Sequence, residues 1–73
     1  MKPYGEFEER GYKVQAFLPS TLKDRNWTVK VFKDGDLIKE IKIPMHIEPR
    51  FGVDSIDLQI LELETAKLMK SLP

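Results

Sequence analysis

The apolar positions change period near residue 53, from two to between three and four. From Gly11 to Leu18 they alternate, with Tyr12, Val14, Ala16 and Leu18 on one side and Lys13, Gln15 and Phe17 on the other. That pattern predicts a half-buried strand ended by Pro19. Ser20 to Asn26 is polar apart from Leu22 and reads as a loop. Trp27–Phe32 and Leu37–Ile43 then flank Lys33-Asp34-Gly35-Asp36, the signature of a hairpin.

The faces of that hairpin bear on its loop. A two-residue Asp34-Gly35 turn pairs Val31 with Ile38 and Val29 with Glu40, which leaves Ile41 and Ile43 opposite in face to Trp27. A three-residue loop, Lys33-Asp34-Gly35, pairs Val31 with Leu37 and Trp27 with Ile41, gathering Trp27, Val29, Val31, Leu37, Ile41 and Ile43 on one face. A one-residue slip reverses every side chain, so the longer loop is expected. Lys39 then falls on the apolar face, where its stem can lie along the surface. Upstream, Phe7 to Tyr12 can close a further hairpin, which would raise the count from three strands to four.

After Ile43, the segment from Pro44 to Gly52 holds two prolines and a glycine and predicts an irregular connection. The helical period begins at Val53. Asp54 is the expected N-cap and Asp57, three residues later, a carboxylate variant of the capping box, with Val53 and Leu58 as a hydrophobic staple. Asp57 early and Lys67 and Lys70 late complement the helix dipole. Ile56, Leu58 and Ile60 also alternate as a strand would, but the caps and the longer periodicity favour the helix.

That helix carries two apolar stripes. Leu58, Leu61, Thr65, Leu68, Met69 and Leu72 share one face. Ile56, Ile60 and Leu63, at about 100° per residue, point almost the opposite way. A small sheet covers only one of them. The expected fold is therefore α+β: a three-stranded, or four-stranded, antiparallel sheet packed against one C-terminal helix. The elements fall at about 11–18, 27–33, 36–43 and 55–72, within one small domain spanning residues 1–73. The expected core is Val14, Ala16, Leu18, Trp27, Val29, Val31, Ile41 and Ile43 against Leu58, Leu61, Leu68 and Leu72.

Composition narrows the function classes. With 73 residues and no cysteine, neither a disulfide nor a thiolate metal site can staple the fold. Chains of this size often gain stability from oligomerisation or close packing. No apolar run approaches the length that spans a bilayer, and no apolar leader opens the chain, so a cytoplasmic protein without a membrane segment is expected. Net charge is zero. Residues 11–43 carry seven bases against four acids, whereas residues 44–73 carry three bases against five acids. Neither segment has the footprint of a dedicated nucleic-acid binder.

Candidate chemistry is sparse. His46 is the sole histidine, with Glu48 and Arg50 near it, and a histidine beside a carboxylate can act as a general base. No cysteine or glycine-flanked serine supplies a nucleophile. Scattered carboxylates and one histidine lack the spacing of zinc or calcium sites, and the isolated glycines form no phosphate loop. No enzymatic activity and no cofactor are expected.

Two binding readings remain. The outward sheet face presents Lys13, Lys30 and Lys42 with Phe17 and Phe32, a composition that can neutralise phosphates and stack bases. The same Phe17 and Phe32, with Ile38, form an apolar patch, and the Ile56, Ile60 and Leu63 stripe forms another. Surplus apolar surface of this kind marks protein contacts. The leading expectation is a small non-enzymatic interaction module that forms a homodimer or docks on a protein partner. The alternative is a nucleic-acid-binding domain. Intramolecular cover is the competing explanation, with Met45, Ile47 and Phe51 folding over the Ile56 stripe and Phe7 over Phe17.

Overall fold

The computed structural model describes residues 2–21, 23–46 and 52–73. Its elements are β1 (Gly5–Glu9), β2 (Tyr12–Phe17), β3 (Asn26–Lys33), β4 (Asp36–Pro44) and α1 (Ser55–Ser71). The strands form an antiparallel sheet in the order β1-β2-β3-β4, and the helix packs on one face of it. The fold is α+β with four strands: the segment before Gly11 closes its own hairpin, pairing Glu9 with Tyr12 and Gly5 with Ala16.

Both hairpins turn in two residues. Arg10 and Gly11 connect β1 to β2 with φ of 52° and 82°, and Asp34 and Gly35 connect β3 to β4 with φ of 52° and 84°. Two successive left-handed residues match the right-handed twist of the flanking strands. The three-residue loop expected at Lys33-Asp34-Gly35 does not form, because Lys33 pairs with Asp36 directly. The face conflict is resolved inside the ladder instead. Phe32 pairs with Leu37 but Val31 pairs with Lys39, so Ile38 is an extra residue in a bulge. Beyond it, Val29 pairs with Ile41 and Trp27 with Ile43, and all four side chains share one face. Trp27 thus faces Ile43 rather than Ile41. Leu37, expected inward, lies opposite Phe32 and is half exposed.

The buried core is Tyr12, Val14, Trp27, Val29, Val31, Ile43, Leu68 and Met69. Ala16, Leu18, Ile41, Leu58, Ile60, Leu61 and Leu72 pack around it in part. Tyr4 caps Trp27 edge-to-face, with ring centroids 5.2 Å apart. The core draws on β2, β3, β4 and α1, and takes nothing from β1.

Local chemistry fixes the helix start. The Asp54 side chain accepts from the Ile56 N–H at 2.8 Å, the role of an N-cap. Asp57 is fully buried and accepts from the His46 main-chain N–H. Besides sitting in the acidic first turn, it ties the end of the β4 segment to the helix.

Candidate functional site

Three surfaces carry the residues that chemistry or spacing singled out: the outward sheet face, the outer flank of α1, and a groove beneath β1.

On the outward sheet face, Lys13, Phe17, Thr28, Lys30, Phe32, Glu40 and Lys42 occupy alternate register positions, as their spacing requires. Each lysine meets a carboxylate. Lys13 Nζ lies 3.0 Å from Glu6 Oε1, Lys30 lies 3.8 Å from Glu40, and Lys42 lies 3.8 Å from Asp24. The hydrogen bond and charge of Glu6 hold the Lys13 amine above the usual lysine range. Lys42 also donates to Thr28 Oγ1 at 2.7 Å, and the Lys30 amine sits 5.3 Å from the centre of the Phe17 ring. Glu6, Glu8, Glu40 and Asp24 outnumber the three cations. Phe17 and Phe32 are only partly exposed between them, whereas Ile38 at the bulge is 44% exposed. Phe7 does not cover Phe17, because it pairs with Val14 and so lies on the inward face.

On the helix, Ile56 is 47% and Leu63 is 60% exposed. Two turns apart, they stand in line on the flank turned away from the sheet. Ile60, grouped with them by spacing, is only partly exposed and packs against the core. Met45 also packs on the core, while Ile47 and Phe51 lie outside the described residues. Gln59, Ala66, Lys67 and Lys70 continue the exposed flank.

The third surface follows from the sheet being one strand wider than the helix covers. Gly5, Phe7 and Glu9 are the inward residues of β1, paired with Ala16, Val14 and Tyr12, yet all three are exposed. A groove of about 850 Å³ runs between the β1–β2 hairpin and α1. Val14, Ala16, Leu61, Ala66 and Met69 line it with Phe7, and its charged rim is mixed, with Glu6, Glu9 and Glu62 against Arg10 and Lys70. Arg10 closes one end, donating from Nη2 to the Met69 carbonyl while its guanidinium lies 5.9 Å from the Tyr12 ring centre. The Tyr12 hydroxyl in turn donates to the Pro73 carbonyl at 2.8 Å. Sequence reasoning missed this groove. The signal was Phe7 two residues before the Glu9-Arg10-Gly11 turn, which fixes its face once the hairpin register is known.

For catalysis the structure gathers little. His46 is exposed and contributes its main-chain N–H to Asp57, and Glu48 and Arg50 lie outside the described residues. Among the described residues, no group of three histidine or acidic side chains converges as metal ligands would. No helix among them is long and apolar enough to cross a membrane. No protein-family model, characterised protein or solved structure matches this chain.

Proposed function

We propose that the protein is a small, non-enzymatic interaction module that self-associates through the outer flank of α1. The observation that carries this reading is the alignment of Ile56 and Leu63, two large aliphatic side chains held half exposed by a helix whose opposite face is already buried. A rigid apolar stripe of this kind is stabilised by removal from water.

The occupant that fits is a second copy in antiparallel orientation. The start of the helix is acidic, with Asp54 as cap, and its end is basic, with Lys67 and Lys70 on the exposed flank. An antiparallel pair brings each acidic start near the other's basic end and opposes the helix dipoles. Centred on Leu63, that register stacks the two Leu63 side chains and lays the stem of Lys70 of the second copy across Ile56. The contact is isologous, so it closes as a dimer and does not propagate. The flank is narrow compared with a standard interface, so dissociation constants of about 10–100 micromolar are expected.

Sedimentation velocity over increasing concentration tests this reading. The expected result is a monomer–dimer equilibrium that Leu63→Glu abolishes without altering the unfolding transition. A chain that stays monomeric at about millimolar concentration, ten times the weakest expected constant, overturns it. The nucleic-acid alternative has less support, because the lysines of the outward face are matched by Glu6, Glu40 and Asp24. Anisotropy of a labelled single-stranded oligonucleotide discriminates: affinity falling steeply with salt would favour that alternative.

A further inference from the structure

We propose that the free edge of β1 and the groove beneath it take up an extended peptide segment in which apolar and basic residues alternate. The surface is distinct from the Ile56–Leu63 flank, and the inference stands without self-association.

Three observations lead to it. First, among the described residues β1 is the outermost strand and pairs only with β2, so one side of its backbone is available for a further ladder. Second, the space such a strand would enter already exists. A segment hydrogen-bonded beyond Gly5–Glu9 turns every other side chain toward the groove, where Phe7, Ala66 and Met69 offer apolar contact. Its remaining side chains turn outward beside Glu6 and Glu8. Third, both outward positions of β1 are acidic. Glu6 and Glu8 stand beside the outward side chains of an added strand, whereas the groove rim is mixed, with Glu9 and Glu62 against Arg10 and Lys70. Lys13 pairs with Glu6 and lies opposite Glu8, so these two carboxylates share one cation and keep a net negative charge. Opposite charges on facing strand positions are favourable and like charges are not.

The same charges exclude the obvious competitors. Pairing β1 with the β1 of a second copy sets glutamates against glutamates. The other free edge, β4 of a second copy, carries Lys39 on its inward side, opposite Val31, and would drive an amine into the apolar groove. A segment with valine, isoleucine or leucine inward and lysine or arginine outward satisfies both faces.

The probe is a synthetic heptapeptide alternating valine and lysine, titrated into the isotope-labelled full chain and followed by amide chemical shifts and hydrogen exchange. Saturable shifts on Gly5–Glu9 and on the Thr65–Met69 segment are expected, with new exchange protection along β1. The dissociation constant should be about 100 micromolar, typical of a short strand addition with few anchors. Glu8→Lys, at an exposed outward position, should weaken binding about tenfold by turning an attraction into a repulsion. Phe7→Ser should weaken it comparably, and because Phe7 is half exposed the fold should survive. A peptide with alternate backbone nitrogens methylated should not bind. Equal affinity for a valine–glutamate peptide, indifference to methylation, or shifts confined to other elements would each overturn the proposal. Open-ended growth of the protein alone that protects β1 would assign the edge to a second copy and overturn it too.

Discussion

Arg10 and Met69 lie 59 residues apart in the chain, yet the guanidinium of the first donates to the main-chain carbonyl of the second. The contact clamps the tip of the first hairpin to the last turn of the helix, where the Met69 carbonyl also accepts the C-cap N–H of Leu72 at 3.3 Å. Arg10 reaches it from a left-handed backbone, φ 52°, that an arginine rarely adopts. The two-residue turn aims the side chain back across the groove.

Arg10→Asn separates the two roles. Asparagine tolerates the left-handed turn but cannot reach Met69, so the turn should survive and the clamp should not. Urea unfolding should show a loss of about 1 kcal/mol, with faster amide exchange confined to the end of α1. No change in that exchange would mean the clamp contributes nothing.

Asp57 predicts a larger effect. Its buried carboxylate receives the His46 N–H, and Asp57→Ala leaves that donor without its acceptor, at a cost of about 1–3 kcal/mol. Asp57→Asn keeps an acceptor oxygen and should cost less. The N-cap change Asp54→Ala should cost about 1 kcal/mol. Thermal or urea unfolding of the three variants gives the ranking, and Asp54→Ala as the most damaging would contradict it.

Removal of Ile38 tests the bulge. Without the extra residue, the two-residue turn at Asp34-Gly35 propagates an unbroken ladder that still pairs Val31 with Lys39, Val29 with Ile41 and Trp27 with Ile43, so the inward face is kept. The shortened chain should therefore keep a cooperative unfolding transition, followed through the fluorescence of Trp27, the sole tryptophan, and its loss would show that the local twist of the bulge is itself required. Ile38→Ala keeps the bulge and should remain folded.

Lys39 protects an edge. It is an inward-facing charge on the outermost strand β4, a device that discourages strand-to-strand association. Lys39→Val should leave the monomer as stable or more so, yet promote aggregation measurable by light scattering. A variant that stays dispersed at the same concentration as the parent would show that the bulge at Ile38 suffices.

The turn glycine gives a simpler test. Gly35 has φ of 84° and open space where a Cβ would stand, so Gly35→Ala should cost about 1 kcal/mol through backbone conformation alone. Denaturant unfolding reads that loss directly, and an unchanged midpoint would count against the conformational cost.

By itself, the sequence determined what depends on neighbours along the chain. The alternation in Tyr12–Phe17, the apolar runs on either side of Asp34-Gly35, and the Asp54 cap ahead of a helical stripe are short-range signals, and they specified the strands, the helix and most of the core. The same periodicity told that Val29, Val31, Ile41 and Ile43 share a face with Trp27, although it wrongly added Leu37 and placed the compensating residue in the turn and not at Ile38. A bulge and a longer loop satisfy the same face requirement, and only the competition between turn twist and ladder pairing chooses between them.

Tertiary structure alone decided where the covered area ends. That α1 spans β2 to β4 and leaves Phe7 over an open groove depends on how a helix of fixed width sits on a four-stranded sheet. Nothing local records that. The pairing of Lys13, Lys30 and Lys42 with carboxylates, and the reach of Arg10 to Met69, are likewise set by strand order and packing. Local pattern fixes which residues form an element; which side chains are left without cover is a property of the assembled layers.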